Sequence, residues 1–428
     1  MGLVGDGFKS YPSGRYSVAM IAIEPYLLLL LAAIIIVIIS TRFHFPYTVA
    51  LVVLGALLGL AAEWTGLRGV IGGASNVLTP DLFFYILLPP IIFEAALHVN
   101  FRKLRARAPL ILSLVFFGVL FTAFFTGLVV SYLLAIPLAL ALLLSAILSP
   151  TDPISVIDLL HRLKVPEELS TIVESESLLN DAVGVILFVV VLQYIESGVF
   201  EPLFSAVDFL WVAGAGVGVG VLAAIAVYVL HRHLDDPAVE TALSVVVAYG
   251  SFLLAQDIGA SGIAATAIAG IAVGTWVAPR AMRPEVRLTL TTFWKVVVYI
   301  STSVIFLSMG LIFAISNVLQ YLDIVVIVLV ALFVGRALFV YAHRPLARIL
   351  RGPEAQLPRS WYGVVTLAGV RGAIPVALSF SLLTASTSLT GKNVSMIISV
   401  VIGVAIFSVI IGNLISGWYV EEHFRTPT

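Results

Sequence analysis

Residues 176 to 181 read Glu176-Ser177-Leu178-Leu179-Asn180-Asp181 and lie in the middle of an apolar run from about 169 to 194. That run is long enough to span a bilayer, so the stretch places an amide and two carboxylates in lipid. A charged side chain at the bilayer centre costs roughly 2.5 kcal/mol or more, which makes these carboxylates candidates for a function.

A single helix over this run would present two polar ladders. At about 100° per residue, Asp181 shares a face with Ser177 and Glu174, while Asn180 shares the next face with Glu176. The first ladder offers carboxylate and hydroxyl oxygens to a small cation. In the second ladder the Asn180 amide can donate to Glu176, which still needs a positive partner from elsewhere in the chain.

The composition is that of a membrane protein. Of the 428 residues, 61% are hydrophobic and 11% are charged, whereas soluble domains carry roughly twice that charged fraction. The chain has no cysteine, which excludes disulfides, thiolate metal sites and cysteine nucleophiles. The N-terminal region lacks an apolar core followed by a small-residue cleavage site, so we predict no cleavable signal peptide.

Segments that are long and apolar enough to span a bilayer recur along the whole chain. A span needs about 20 mostly apolar residues, and we predict an all-α polytopic membrane protein with 13 transmembrane helices. Their approximate limits are 24–41, 46–62, 81–99, 108–133, 136–160, 169–195, 206–231, 238–256, 259–278, 288–314, 322–343, 358–384 and 394–418. The loops are too short for a soluble domain, so residues 1–428 are predicted to form a single membrane domain.

The distribution of basic residues predicts the orientation in the cell membrane. Sixteen of the 23 Lys and Arg residues fall in loops on one side, four fall on the other side and three fall within spans. Because basic loops stay in the cytoplasm, the C-terminus is predicted to be cytoplasmic and the N-terminus to lie outside.

Two predicted spans contain residues that interrupt a helix. The fifth contains Ser149-Pro150-Thr151-Asp152-Pro153, and the twelfth contains Gly369-Val370-Arg371-Gly372-Ala373-Ile374-Pro375. Proline removes a backbone donor and clashes with the preceding turn, so both segments are predicted to be broken helices. The breaks hold the same place in two six-helix halves, about 24–195 and 238–418, which a linker helix at about 206–231 joins. We therefore predict two inverted repeats, with broken helices 5 and 12 crossing at a midplane transport site.

Five runs of the sequence stand out together. They are FFYILLPPIIFEA at 83–95, SPTDPISV at 149–156, ESESLLNDAVG at 174–184, FLSMGL at 306–311 and VRGAIPVAL at 370–378. In type and order these runs resemble the sodium/proton antiporters of the NhaP and NHE type, and they extend over segments 3 to 12. The chain departs from the family's pattern at Lys295, where Glu is common, and at Asp158, where a small apolar residue is usual.

The resemblance implies a role for each residue of the constellation. Asp181 would take either a proton or the Na⁺ cargo. The groups that would complete its oxygen cage are Asp152, Ser177, the Thr151 carbonyl and, from segment 3, Glu94. Glu176 and Asn180 would meet Arg371 in a structural bridge between segment 6 and broken helix 12.

The implied activity is exchange of Na⁺ (or Li⁺) for H⁺ by alternating access, serving pH and sodium homeostasis. It would be a 1:1 electroneutral exchange, because Asn180 stands where electrogenic relatives carry a second acid. The resemblance further implies a homodimer in the lipid bilayer that is not an enzyme, needs no cofactor and binds no nucleic acid.

Elementary chemistry leads to a similar set of residues. A hard cation prefers oxygen ligands, which these side chains supply. The Arg371 guanidinium stays charged and needs a buried partner, for which we predict Glu176. Glu174 lies about 10 Å from Asp181 toward the cytoplasm by helical rise, which predicts a place for it in an inner funnel.

Other functions stay open at this point. A flexible oxygen cage suits K⁺ as well as Na⁺, so a K⁺/H⁺ antiporter or a cation channel of the same architecture is an alternative. An intramembrane aspartyl protease also needs two acids, but it places them in Tyr-Asp and Gly-x-Gly-Asp contexts that this sequence lacks. Polar side chains such as Ser177 also commonly bond neighbouring membrane helices without binding an ion.

Overall fold

The computed structural model describes residues 31–36, 38, 47–65, 81–152, 160, 165–199, 202–231, 236–316, 318–351, 357–384 and 389–424. The regular structure within these ranges is helical throughout. Asp158 and most of the predicted segment 24–41 lie outside the described residues.

Helices α1 to α6 form the first part of the described chain. They are α1 (Tyr47–Thr65), α2 (Leu88–His98), α3 (Phe101–Ser113), α4 (Val119–Leu134), α5 (Leu138–Ile147) and α6 (Glu167–Ser197). A π-helical turn over Leu82–Leu87 leads into α2, and another over Leu114–Gly118 joins α3 to α4.

Helices α7 to α15 follow. They are α7 (Pro202–His231), α8 (Pro237–Asp257), α9 (Gly262–Ala272), α10 (Ala278–Ala281), α11 (Pro284–Ile315), α12 (Leu322–Arg351), α13 (Arg359–Leu367), α14 (Ala373–Thr384) and α15 (Gly391–Phe424). A π-helical turn over Val273–Val277 joins α9 to α10, and a 3-10 turn over Val318–Tyr321 precedes α12.

The helices agree with the predicted multi-span architecture. Within the described ranges, eight helical stretches are long and apolar enough to cross a membrane. The limits of α6 and α8 differ by one or two residues from the predicted segments 169–195 and 238–256. The all-helical membrane fold is thus confirmed, while the count of 13, the inverted repeats and the single domain remain predictions.

Local sequence signals explain where several helices begin. At the start of α3, the Asn100 side chain accepts a hydrogen bond from the Lys103 N–H (3.3 Å), and at the start of α9 the Ser261 hydroxyl accepts one from the Ala264 N–H (3.2 Å). These bonds satisfy donors that the first helical turn leaves without partners. Helix α8 begins at Pro237, where the missing proline N–H removes no helical bond.

Close packing against α1 and α2 sets the position of α11. Gly55 of α1 and Gly310 of α11 lie backbone to backbone, so a Cβ at either position would overlap the other helix. Toward the other end of α11, the fully buried Trp294 packs on Phe93, with ring centroids 4.9 Å apart, and donates to the Ser244 hydroxyl (3.0 Å). These contacts fix the orientation of α11 about its own axis and thereby determine which of its side chains face inward.

The structure confirms both predicted helix breaks. Helix α5 ends at Ile147 and residues 148–152 are not helical, while residues 368–372 separate α13 from α14. The two breaks touch, because the Asp152 N–H donates to the Val370 carbonyl (2.7 Å). The Arg371 N–H donates to the Ser408 hydroxyl of α15 (2.8 Å), so partners from other elements satisfy polar backbone that the breaks expose.

Candidate functional site

The polar residues in the middle of helix α6 face the first helix break. Glu176, Ser177, Asn180 and Asp181 are all buried, and Asp181 retains 8% of its surface. One carboxylate oxygen of Asp181, Oδ1, is buried with no hydrogen-bond partner among the residues that the structure describes. A buried carboxylate oxygen without a donor is costly, which is the situation that a proton or a cation relieves.

Thr151 connects the first break to α6 through several hydrogen bonds. The Asn180 amide donates to the Thr151 hydroxyl (2.6 Å), and the Asn180 carbonyl oxygen accepts from the Thr151 N–H (3.3 Å). The Ser177 hydroxyl lies 3.1 Å from the Thr151 hydroxyl and donates to the Thr151 carbonyl. The carbonyl predicted to face the cation therefore accepts a hydrogen bond from Ser177, and the network holds the break against α6.

Asp152 lies at the contact between the two breaks. A Cβ at Gly372 would overlap the Asp152 carboxylate, so only glycine leaves room for it there. Gly372 directly precedes α14, whose N-terminal end carries a partial positive charge. The Asp152 carboxylate therefore lies beside the start of α14.

Arg336 of α12, and not Arg371, forms the ion pair with Glu176. Its two terminal nitrogens, Nη1 and Nη2, lie 3.0 and 2.9 Å from the two Glu176 carboxylate oxygens. Arg336 also donates to the Val365 carbonyl from Nε (3.1 Å) and Nη2 (2.8 Å), near the end of α13. Asn180 completes the cluster by donating to Glu176 (3.1 Å). The predicted Glu176–Arg371 bridge is wrong in this respect.

The Arg371 side chain instead bonds to the backbone of its own helix break. Its side chain is 3% exposed and donates from Nη1 to the Gly369 carbonyl. Glu176 and Arg336 are both near enough to act electrostatically on it. A signal for Arg336 was present in the sequence, since a guanidinium within the predicted span 322–343 also needs a buried acidic partner.

A cavity of about 560 Å³ leads to Asp181. Its polar lining comprises Glu94, His98, Asn100, Thr151, Asp152, Glu167, Ser170, Thr171, Glu174, Asp181, Lys295 and Thr302. Helix α6 contributes Glu167, Glu174 and Asp181 at intervals of seven residues, about 10 Å apart along the helix. Along α6, Glu174 thus lies between the exposed Glu167 and the buried Asp181, and it lines the cavity.

Not all of the predicted ligands face this cavity equally. Asp181, Asp152, Thr151 and Glu94 line it, but Ser177 does not. The Glu94 carboxylate lies 3.2 Å from the His98 ring Nε2, a contact that the sequence did not indicate. Within the described residues, no three acidic or histidine side chains converge closely enough to hold a metal ion. The oxygens are arranged along a path that a hard cation could follow.

The family model described as "Sodium/hydrogen exchanger, transmembrane" matches residues 27–422. The chain belongs to the sodium/hydrogen exchanger family. Members of this family are transporters and not enzymes, which confirms the prediction and removes the protease alternative. The resemblance to the NhaP type is also confirmed.

Several relatives within the exchanger family have been named. The chain is 29% identical to the Na⁺/H⁺ antiporter ApNhaP of Aphanothece halophytica over 381 residues, which are 88% of this chain and 69% of that protein. It is 30% identical to the Na⁺/H⁺ antiporter NhaH of Halobacillus dabanensis over 349 residues, or 79% of this chain and 83% of the relative.

A solved structure shares the fold of this exchanger. The sodium proton antiporter MjNhaP1 from Methanocaldococcus jannaschii superposes with a TM-score of 0.78 over 95% of this chain and 100% of that chain. The two sequences are 21% identical over this match, so the likeness establishes a common fold.

Proposed function

We propose that this exchanger moves Na⁺ or Li⁺ in one direction and H⁺ in the other by alternating access. The observation that supports this most directly is the Asp181 carboxylate, which lines a polar cavity and has a buried oxygen without a hydrogen-bond partner in the described part of the chain. Relatives at 29–30% identity are named Na⁺/H⁺ antiporters.

Asp181 is the exchanging group in this proposal. Its free oxygen takes a proton or a cation but not both, so the two ions compete for one carboxylate. Asp152 and the Thr151 hydroxyl line the same end of the cavity and supply further oxygens for the cation. Glu94 supplies another oxygen from α2 when it leaves His98.

The cluster of Glu176, Asn180 and Arg336 connects the helices around the site. Glu176, Asn180 and Arg336 join α6 to α12, and the Arg336 bonds to Val365 extend this connection to the end of α13. Because hydrogen bonds connect both breaks to α6, the breaks and α6 can move as a unit when the site changes its access from one side of the membrane to the other.

The charges near Asp181 support a 1:1 electroneutral exchange. Asn180 is neutral and is engaged by Thr151 and Glu176, while the charge of Glu176 is balanced by Arg336. If Asp181 alone changes its occupant, one Na⁺ replaces one H⁺ and no net charge moves.

The position of the cavity mouth indicates the side of the membrane to which the cavity opens. Asn100 and Glu167 are exposed residues of the cavity lining and mark its mouth, and both lie on the side that the basic loops predict to be cytoplasmic. We therefore propose that the described conformation is open to the cytoplasm. The exchanger would reside in the cell membrane as a homodimer with its N-terminus outside.

The test is ion exchange by purified protein in proteoliposomes, with an internal pH dye as the readout. A Na⁺ or Li⁺ pulse should move protons, and Asp181→Asn should abolish this flux because an amide keeps the side-chain volume but does not titrate. Asp323→Asn, which changes an exposed carboxylate at the start of α12, is the matched control and should be active.

The outcomes distinguish the alternatives. A response to K⁺ in place of Na⁺ would identify a K⁺/H⁺ antiporter. Cation flux that needs no counter-moving proton would identify a channel. Full exchange by a folded Asp181→Asn protein would refute the assignment of Asp181.

A further inference from the structure

The cavity contains one lysine, Lys295, among four carboxylates of its described lining, Glu94, Asp152, Glu174 and Asp181, with Glu167 at the mouth. Lys295 lies on the face of α11 that also presents Val298, Thr302 and Ile305 to the cavity. These positions follow the i, i+3, i+7 and i+10 spacing of one helical face.

Packing of the neighbouring residue holds Lys295 in this orientation. Trp294 is fully buried between α2 and α8, with its ring on Phe93 and its N–H on Ser244. The next residue on a helix points about 100° away, which turns Lys295 from that core toward the cavity. The packing of Trp294 therefore fixes Lys295 in the cavity wall.

Lys295 shares the cavity lining with several other ionisable side chains. Lys295, Glu174 and His98 line the cavity together, and the His98 ring lies 3.2 Å from the Glu94 carboxylate. Glu174 lies about 10 Å from Asp181 by helical rise. Lys295 is an exposed residue of the cavity lining, so a cation entering from the mouth must pass its side chain.

We propose that Lys295 is an affinity-setting residue: its fixed positive charge repels cations in the open cavity and raises the Na⁺ concentration needed for binding from that face. This inference rests on the proposed exchange and concerns the same site. The carboxylates of the lining outnumber this single positive charge, so the cavity still attracts cations. The positive charge also speeds the release of a bound cation, because an ion that is held less tightly dissociates sooner.

Coulomb's law gives the size of the effect. Two unit charges about 10 Å apart at an effective dielectric constant of about 40 change binding by about fourfold. Lys295→Met should therefore lower the half-saturating Na⁺ concentration about fourfold, and Lys295→Glu, which changes the charge twice as much, about sixteenfold. Lys295→Arg should behave like the wild type.

The experiment compares the two membrane faces. Everted and right-side-out vesicles expose opposite faces of the exchanger to the assay solution, and the half-saturating Na⁺ concentration is measured on each. The affinity should change only on the face to which Asn100 and Glu167 belong. The ratio of variant to wild type should approach one as ionic strength rises from about 0.05 to about 0.5 M, because salt screens exposed charges.

Arg280→Met is the matched control, since it removes one exposed charge on the same side but outside the cavity lining. Direct binding of radioactive Na⁺ to purified protein is the second measurement and does not require turnover. Unchanged affinity in the Met and Glu variants, an equal shift on both faces, or the same shift with Arg280→Met would overturn the role of Lys295. A wild-type protein that exchanges no Na⁺ would refute the proposed function, and with it this inference.

Discussion

Replacing Arg336 with methionine removes the positive partner of Glu176 and leaves a buried carboxylate whose remaining donor, among the described residues, is the Asn180 amide. Breaking a buried ion pair in this way costs about 3–5 kcal/mol. The two bonds to the Val365 carbonyl add about 1 kcal/mol each. The expected loss in the free energy of unfolding is therefore about 5–7 kcal/mol.

This loss converts to a measurable shift in melting temperature. For 428 residues the entropy of unfolding near the midpoint is about 0.9 kcal/mol per kelvin. Arg336→Met should thus lower Tm by about 6–8 °C. The assay is thermal unfolding of detergent-purified protein, followed by the fraction that stays monodisperse on size-exclusion chromatography.

A double-mutant cycle separates the two arginines. Adding Glu176→Gln to Arg336→Met should recover about half of the loss, because a neutral amide needs no counter-charge. Arg371→Met should be less damaging and less coupled to Glu176, since the Arg371 side chain donates to the Gly369 carbonyl and not to Glu176. Equal Tm for Arg336→Met and wild type, or stronger coupling of Glu176 to Arg371 than to Arg336, would refute the reasoning.

Three further predictions concern the site. Gly372→Ala should cost both activity and stability, because the new Cβ would overlap the Asp152 carboxylate; a variant with wild-type flux and Tm would show that the breaks separate easily. The half-saturating Na⁺ concentration should rise as pH falls, because protons compete with Na⁺ for Asp181, and pH-independent values in proteoliposomes would contradict this. Exchange should be insensitive to an imposed membrane potential, because Asn180 is uncharged; current on a solid-supported membrane would show that net charge moves in each cycle.

The sequence by itself determined the helical membrane architecture and its two interruptions. In lipid every backbone polar group needs an internal partner, so long apolar runs must be helical, and the limits of α6 and α8 can be read from hydropathy. Proline at 150 and the glycines at 369 and 372 make a continuous helix costly, which marks the breaks. The Asp181 ladder follows equally from helical periodicity.

Only the tertiary structure decided which partners these groups take. Hydropathy places Arg336 and Arg371 within spans but says nothing of helix rotation or of how far a flexible guanidinium reaches, so the choice between them as partner of Glu176 required coordinates. The same holds for the Glu94–His98 pair and for Lys295 in the cavity, because Lys295 faces inward only through the packing of Trp294. Periodicity sets which residues share a face of one helix, whereas contacts between helices determine where that face points.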